Sequence, residues 1–261
     1  MANEFVHLRL HSEFSVVDGL TRIEELVRRA AADGQGAIAL TDSANLFGAV
    51  RFYVAARRAG VKPIIGCDAW VTNEADREQP QRLTVLAQNR TGYRNLCRLI
   101  SRAWLENQHN ERAEMRSQWL APDATDGLIA LSGGPAGAVG QLLAASQVKA
   151  ANAAAQRLAG QFPGRFYIEI QRAGRSGDEA CCRASIALAA GLGLPLVATH
   201  PIQFLEPEDF RTHEARVCIA QGRTLTDPAA IAMELRHYQG RLVAFADIGE
   251  VTIGERGRAG S

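Results

Sequence analysis

Short apolar runs alternate with amphipathic stretches along most of this chain, and that alternation limits the folds open to it. Strand candidates are Val6–Leu10, Ala37–Leu40, Pro63–Gly66 continuing to Val71, Leu83–Ala87, Leu128–Leu131, Phe166–Ile170 and Leu196–Ala198. Helix candidates lie between them: Ile23–Ala32, Ala49–Ala59, Tyr93–Leu105, Ala138–Ala145, Val148–Gln161 and Glu179–Ala190. In the first helix Ile23, Leu26, Val27 and Ala30 recur at helical spacing. Thr21 is placed to cap it, and Glu24 complements its N-terminal dipole. Glu106–Ala121 is polar and reads as a loop with a short helix. Strands separated by helices imply parallel pairing through right-handed crossovers. About seven such strands favour a closed βα barrel over an open sheet, with chemistry at the C-terminal strand ends. A doubly wound open sheet is the alternative. No phosphate-binding glycine fingerprint follows the first strand, which weakens the nucleotide-binding form of that alternative.

The 261 residues suffice for one large domain with a full core. A net charge of +1 provides no global basic field for holding DNA. Arg28-Arg29, Arg57-Arg58 and Arg256-Gly257-Arg258 are short runs, read as solvated helix faces or, alternatively, phosphate-binding patches. The five cysteines (Cys67, Cys97, Cys181, Cys182 and Cys218) form no CxxC pair and are odd in number. Free thiols in a reducing cytoplasm fit them better than a disulfide framework or a zinc ribbon. The N-terminus lacks a signal-peptide core, and no apolar run is long enough to span a bilayer. The expectation is a cytoplasmic chain with no membrane partner.

Chemistry-bearing residues collect at the strand ends. The first strand runs into His11, Ser12 and Asp18 before the turn at Gly19, and imidazole with carboxylate on one rim is a common basis for a metal site. Asp42 follows the second strand, where it can ligate a metal or cap the next helix. Asp68 lies on the third strand, and Glu169 ends the sixth, facing away from Ile170. Ser132-Gly133-Gly134 reads as a tight turn or an anion-binding nest. His7 packs at the start of its strand, while His109 and His237 fall in a polar loop and in the tail. Trp70, Trp104 and Trp119 read as core or rim residues rather than base-stacking platforms.

The stretch Phe5–Gly19 resembles the first motif of the PHP (polymerase and histidinol phosphatase) domain. Its nearest likeness is the version at the N-terminus of bacterial DNA polymerase III alpha subunits. That motif reads His-x-His, and Arg9 stands at its first histidine. Thr41-Asp42-Ser43 followed by Phe47-Gly48 is similar to the family's Thr-Asp-His motif, with Ser43 at the histidine. Gly66-Cys67-Asp68 matches Gly-x-Glu with a shorter acid, and Arg82 stands where many relatives place a histidine. Glu169-Ile170-Gln171 resembles a family stretch. Around His200, Pro201 and Gln203 occupy the places of an aspartate and a histidine. His213-Glu214 resembles the family's His-Asp.

The resemblance implies an α/β fold, a distorted (βα)7 barrel of the PHP type over residues 1–228. A divergent, partly disordered tail over 229–261 would follow, in a chain truncated before the polymerase palm. His11, Asp18, Asp42, Asp68 and His213 then form a remnant metal site, and Arg9, Ser43, Arg82 and Gln203 are the replacements. A fixed charge at Arg9 would repel bound cations by about 4 kcal/mol per unit charge near 4 Å. Arg9 is expected to pair instead with Asp18, Asp42 or Asp68, with no cofactor. The implied role is a scaffold in DNA replication that docks the proofreading exonuclease subunit of the replicase. It would meet DNA only through the full-length polymerase, and without that polymerase's active site it would not synthesise DNA alone. The alternative is an active metal-dependent phosphoesterase, a 3′–5′ exonuclease or pyrophosphatase using zinc, manganese or magnesium. A third reading is a non-functional product with an unstable barrel edge.

Overall fold

A computed structural model describes residues 5–225; the expected tail over 229–261 lies outside the described residues. Strands are β1 (Ala37–Leu40), β2 (Lys62–Val71), β3 (Gln81–Ala87), β4 (Gln108–His109), β5 (Arg112–Met115), β6 (Leu128–Leu131), β7 (Phe166–Gln171) and β8 (Leu196–Thr199). Helices are α1 (Ile23–Ala32), α2 (Ala49–Arg58), α3 (Arg90–Glu106), α4 (Ala138–Ala144), α5 (Val148–Gln161), α6 (Asp178–Leu192) and α7 (Phe210–Ala220).

The sheet is mixed, which corrects the expectation of parallel pairing throughout. β2 and β3 are antiparallel, and so are β3 and β6; β1–β2, β6–β7 and β7–β8 are parallel. The reason is the link between β2 and β3, which contains no helix. Without a crossover, the chain returns beside itself in the opposite direction. Val6–Leu10 does not form a regular strand either. It is an extended segment between β1 and the residues after β8. Ala39 N donates to His7 O (2.8 Å) and Thr41 N to Leu10 O (2.9 Å) on one side. On the other, His11 N donates to Ile202 O (2.9 Å) and Ile202 N to Arg9 O (3.2 Å). Leu10 N bonds to the Thr41 side-chain oxygen (2.8 Å), which interrupts the ladder. This segment closes the sheet into a distorted barrel whose staves follow the order N-terminal segment, β1, β2, β3, β6, β7, β8.

Other differences have local causes. Residues 106–121 hold the β4–β5 hairpin, turning through Asn110 and Glu111 at φ 46° and 62°, then a 3-10 turn at Ser117–Trp119. Strands this short leave no readable alternation. Helix α3 starts a turn earlier than Tyr93 because the Asn89 side chain accepts from Gly92 N (3.0 Å) and caps it. Helix α1 is capped by Arg22 without a side-chain bond, and Glu24 pairs with Arg51 at 2.6 Å, so Thr21 has no capping role. Helix α7 lies outside the sequence's helix candidates, although its buried residues His213, Glu214, Val217 and Cys218 follow helical spacing.

One apolar core lies between β2, β3, β6, β7 and helices α3 to α6, with Leu83, Val85, Leu96, Phe162 and Ile168 at its centre. A second packs α1 and α2 on β1 through Leu26, Ile38 and Phe52. Burying each of these large side chains stabilises the fold by about 1.5–3 kcal/mol. Trp119 is buried, Trp104 donates to Ala44 O (2.9 Å), and the five cysteines are free thiols. Among the described residues no helix is long and apolar enough to cross a membrane.

Gly92 meets the Gly127 backbone so closely that an added Cβ would stand 1.8 Å from its carbonyl oxygen. Gly160 in α5 has nothing within 4 Å of that position. In urea titrations Gly92→Ala is therefore expected to lose at least about 1–3 kcal/mol. Gly160→Ala is expected to gain up to about 1 kcal/mol.

Candidate ion-pair centre at the barrel mouth

The strand ends converge on a small cavity of about 200 Å³ lined by Arg9, His11, Asp18, Asp68, Arg82 and Gln203, among others. The N-terminal segment supplies Arg9 and His11, β2 supplies Asp68, β3 supplies Arg82, and β7 supplies Glu169 and Gln171. Alternation along β7 puts Glu169 and Gln171 on one face, and both are buried.

Arg9 occupies the centre. Its Nη2 donates to Asp68 Oδ2 at 2.8 Å, and its Nη1 reaches Glu169 Oε1 at 3.4 Å and Gly133 O at 3.3 Å. His11 spans two acids, with Nδ1 at 2.8 Å from Asp18 Oδ1 and Nε2 at 3.1 Å from Asp68 Oδ2. Arg82 Nη1 donates to Asp68 O (3.1 Å) and Ser43 Oγ (2.9 Å) and lies 3.6 Å from Asp68 Oδ2. Its guanidinium covers the Trp70 ring, 3.2 Å from the centroid, so Trp70 supports this centre from the side. Gln203 Nε2 donates to Asp18 Oδ2 at 2.6 Å. Gln171 Nε2 (2.7 Å) and Thr199 Oγ1 donate to Glu169 Oε1. Arg9, His11 and Arg82 thus face Asp18, Asp68 and Glu169 as a closed set of opposite charges.

Proton affinities follow from these contacts. Burial would push His11 down, but the Asp18 charge and the bonds to Asp18 and Asp68 override it and raise its pKa to about 9. Burial likewise opposes ionisation of Asp68, yet Arg82, Arg9 and His11 hold it far below the usual carboxylate range. Asp18 is lowered against its own burial by His11, with a smaller contribution from Arg82. Burial lowers Arg82, whereas Asp68 and Glu169 hold Arg9 above its ordinary value in spite of burial.

Of the five expected ligands, His11, Asp18 and Asp68 come together, and the other two stand apart from them. Asp42 accepts from Ser12 N (2.7 Å), Ser12 Oγ (2.8 Å) and Ser15 Oγ (2.7 Å). It therefore pins the 12–15 turn and caps no helix, since α2 begins at Ala49 after Gly48 without a side-chain cap. Burial raises the pKa of Asp42 even so. His213 Nδ1 bonds to the Asp18 main-chain oxygen (3.0 Å), and its ring packs 5.1 Å from Phe204. His7 and His200 are buried beside one another with ring centroids 6.4 Å apart.

Donor atoms that a metal ion would use are engaged within the chain: both His11 nitrogens face carboxylates and Asp68 Oδ2 receives Arg9 and His11, although Asp68 Oδ1 and Glu169 Oε2 are buried without a hydrogen-bond partner. Among the described residues no group of three or more His, Cys, Asp or Glu is arranged to hold one.

Arg9 was expected to pair with Asp18, Asp42 or Asp68; of these it takes Asp68. Its second acid, Glu169, was missed as a site residue, although its strand position and facing were readable. Ser132–Gly134 is a tight turn with φ 83° at Gly133 and 58° at Gly134. Its Gly133 carbonyl accepts a hydrogen bond from Arg9 Nη1, so the turn presents an acceptor to a cation.

Residues 7–173 match the PHP domain family. The DNA polymerase III subunit alpha of Pseudomonas aeruginosa is 45% identical over 228 residues, which is 87% of this chain and 19% of that protein. That of Escherichia coli K12 is 42% identical over 224 residues, 86% of this chain and 19% of that protein. The chain spans about a fifth of the length of the curated relatives it matches. A Chromobacterium violaceum amidohydrolase, solved with bound sulfate and no metal, shares the fold. Its TM-score is 0.52 at 15% identity, over 81% of this chain and 96% of that one.

The pKa shifts set a pH window for stability. His11, raised from 6.5 to about 9, contributes stability that is full below pH 6.5 and is lost as pH rises through 9. Asp18 and Asp68, both lowered, contribute stability that is present above their ordinary 3.8 and lost on acidification. Melting temperature should therefore peak between about pH 4 and 6.5. The alkaline decline corresponds to a loss on the order of 3 kcal/mol, and His11→Gln should flatten it.

Proposed function

The chain belongs to the PHP domain family, and from that membership we propose that it is a structural module of the polymerase III alpha-subunit type. In this reading the barrel mouth is held by ion pairs at positions where the family motifs imply metal ligands. The single observation that carries it is Arg9, whose guanidinium bonds Asp68 at 2.8 Å and reaches Glu169 at 3.4 Å. Hydrolysis of a phosphoester needs an activated water and a group to neutralise developing charge. His11 as imidazolium cannot accept a proton, and Asp68 and Glu169 each engage one oxygen with guanidinium or hydroxyl donors. The residues at this mouth are therefore equipped to hold the strand ends together and not to turn over substrate.

The module serves a cytoplasmic replicase, with nucleotidyl transfer and DNA contact supplied by the full-length polymerase. Its outer surface docks the proofreading exonuclease subunit, and no cofactor takes part.

Metal analysis by mass spectrometry separates this reading from a metal-dependent phosphoesterase. After exposure to zinc and manganese and removal of free ions, the chain should retain substoichiometric metal. It should also co-elute with the exonuclease subunit in chelator. Stoichiometric metal that disappears in His11→Ala would establish the phosphoesterase reading in its place.

A further inference from the structure

A second cavity, of about 660 Å³, shares no lining residue with the mouth. Four elements meet there: the loop after β2, the end of α3, the stretch after β5, and α5. Such a volume suits a small ligand.

Asn107, only 4% exposed, organises the cavity. Its side-chain nitrogen donates to Thr72 Oγ1 and to Glu114 O, both at 2.9 Å, which fixes the amide. The amide oxygen then accepts from Arg77 Nη2 at 2.7 Å and from Arg116 Nη2 at 3.5 Å. Two guanidiniums are thus drawn onto one neutral oxygen, where they repel each other. Arg116 is further placed by the Trp119 ring, 5.8 Å from its centroid.

Charge compensation is incomplete. The fully buried Glu114 serves Arg77 and Arg112 together, each Nε 3.5 Å away. Arg157 reaches the cavity from α5 and makes no ion pair with a carboxylate among the described residues. Glu74 is the carboxylate on the lining. Asp76 and Glu78, on the same loop as Arg77, bond to Gln79 and to His109 and Asn110. On the lining, Arg77, Arg116 and Arg157 therefore face Glu74, an excess of positive charge that matches a dianion. Planar guanidinium forks are suited to phosphate oxygens.

We propose that this cavity binds a phosphate monoester, with Arg77 and Arg116 clasping its oxygens and Arg157 closing over it. The site goes beyond the reading of the barrel mouth and does not depend on it. The monoester could come from a free nucleotide or from the terminal phosphate of a DNA strand.

Calorimetric titration of the whole chain tests the proposal with deoxyadenosine monophosphate and with oligothymidylate carrying or lacking a 5′ phosphate. Saturable binding of the mononucleotide or of the phosphorylated strand is expected, and which of them binds identifies the source. Arg77→Ala and Arg116→Ala should each weaken it by about tenfold or more. Arg157→Ala, at an exposed position, serves where those variants fail to melt cooperatively. Absence of saturable binding, binding undiminished in the arginine variants, or equal binding of the unphosphorylated strand would overturn the proposal.

Discussion

Asp68 Oδ2 receives Arg9 at 2.8 Å and His11 at 3.1 Å, with Arg82 at 3.6 Å, on a side chain that is 1% exposed. Around that oxygen the N-terminal segment, β2, β3 and β7 are tied at one end of the barrel. A buried carboxylate alone would be strongly unfavourable in this position, and three unpaired acids would force the mouth apart. Arginine suits the task better than lysine because its fork engages two carboxylates and the Gly133 carbonyl at once. Gln203 adds a hydrogen bond to Asp18, and Gln171 and Thr199 add theirs to Glu169 Oε1, while Asp68 Oδ1 and Glu169 Oε2 are buried without a hydrogen-bond partner.

The arrangement links chain closure to electrostatics. Val6–Leu10 lacks a regular ladder, so its seat between β1 and Ile202 depends on a few main-chain bonds and on Arg9 and His11. The same two side chains that stand where metal ligands would lie also hold the first stave in place. The cations that balance the acids at this mouth come from the chain itself.

Much of the barrel was legible because burial imposes periodicity: Ile23, Leu26, Val27 and Ala30 mark α1, and the other staves are short apolar runs. Strand direction was misread, although the helix candidates already leave the link from Val71 to Leu83 without a helix and so imply an antiparallel return. The Gln108–Met115 hairpin was missed because its strands are too short to show a pattern and its turn places Glu111 at positive φ. At the site, Arg9 at a motif histidine pointed to an ion pair with a strand-end carboxylate, and Asp68 was among its anticipated partners. Glu169 required three dimensions, since it is 160 positions from Arg9 and only the closed ring brings them together. Asp42 could not be resolved as ligand or cap from sequence. Its serine partners lie on the preceding stave's turn, and in the structure it caps no helix.

The most direct test of this account is a double-mutant cycle on Arg9→Ala and Asp68→Ala, read as unfolding free energy. A coupling of about 2 kcal/mol or more is predicted, in the range found for residues within one buried network. A coupling near zero, with each single variant as stable as the parent chain, would show that the barrel mouth does not depend on this ion pair.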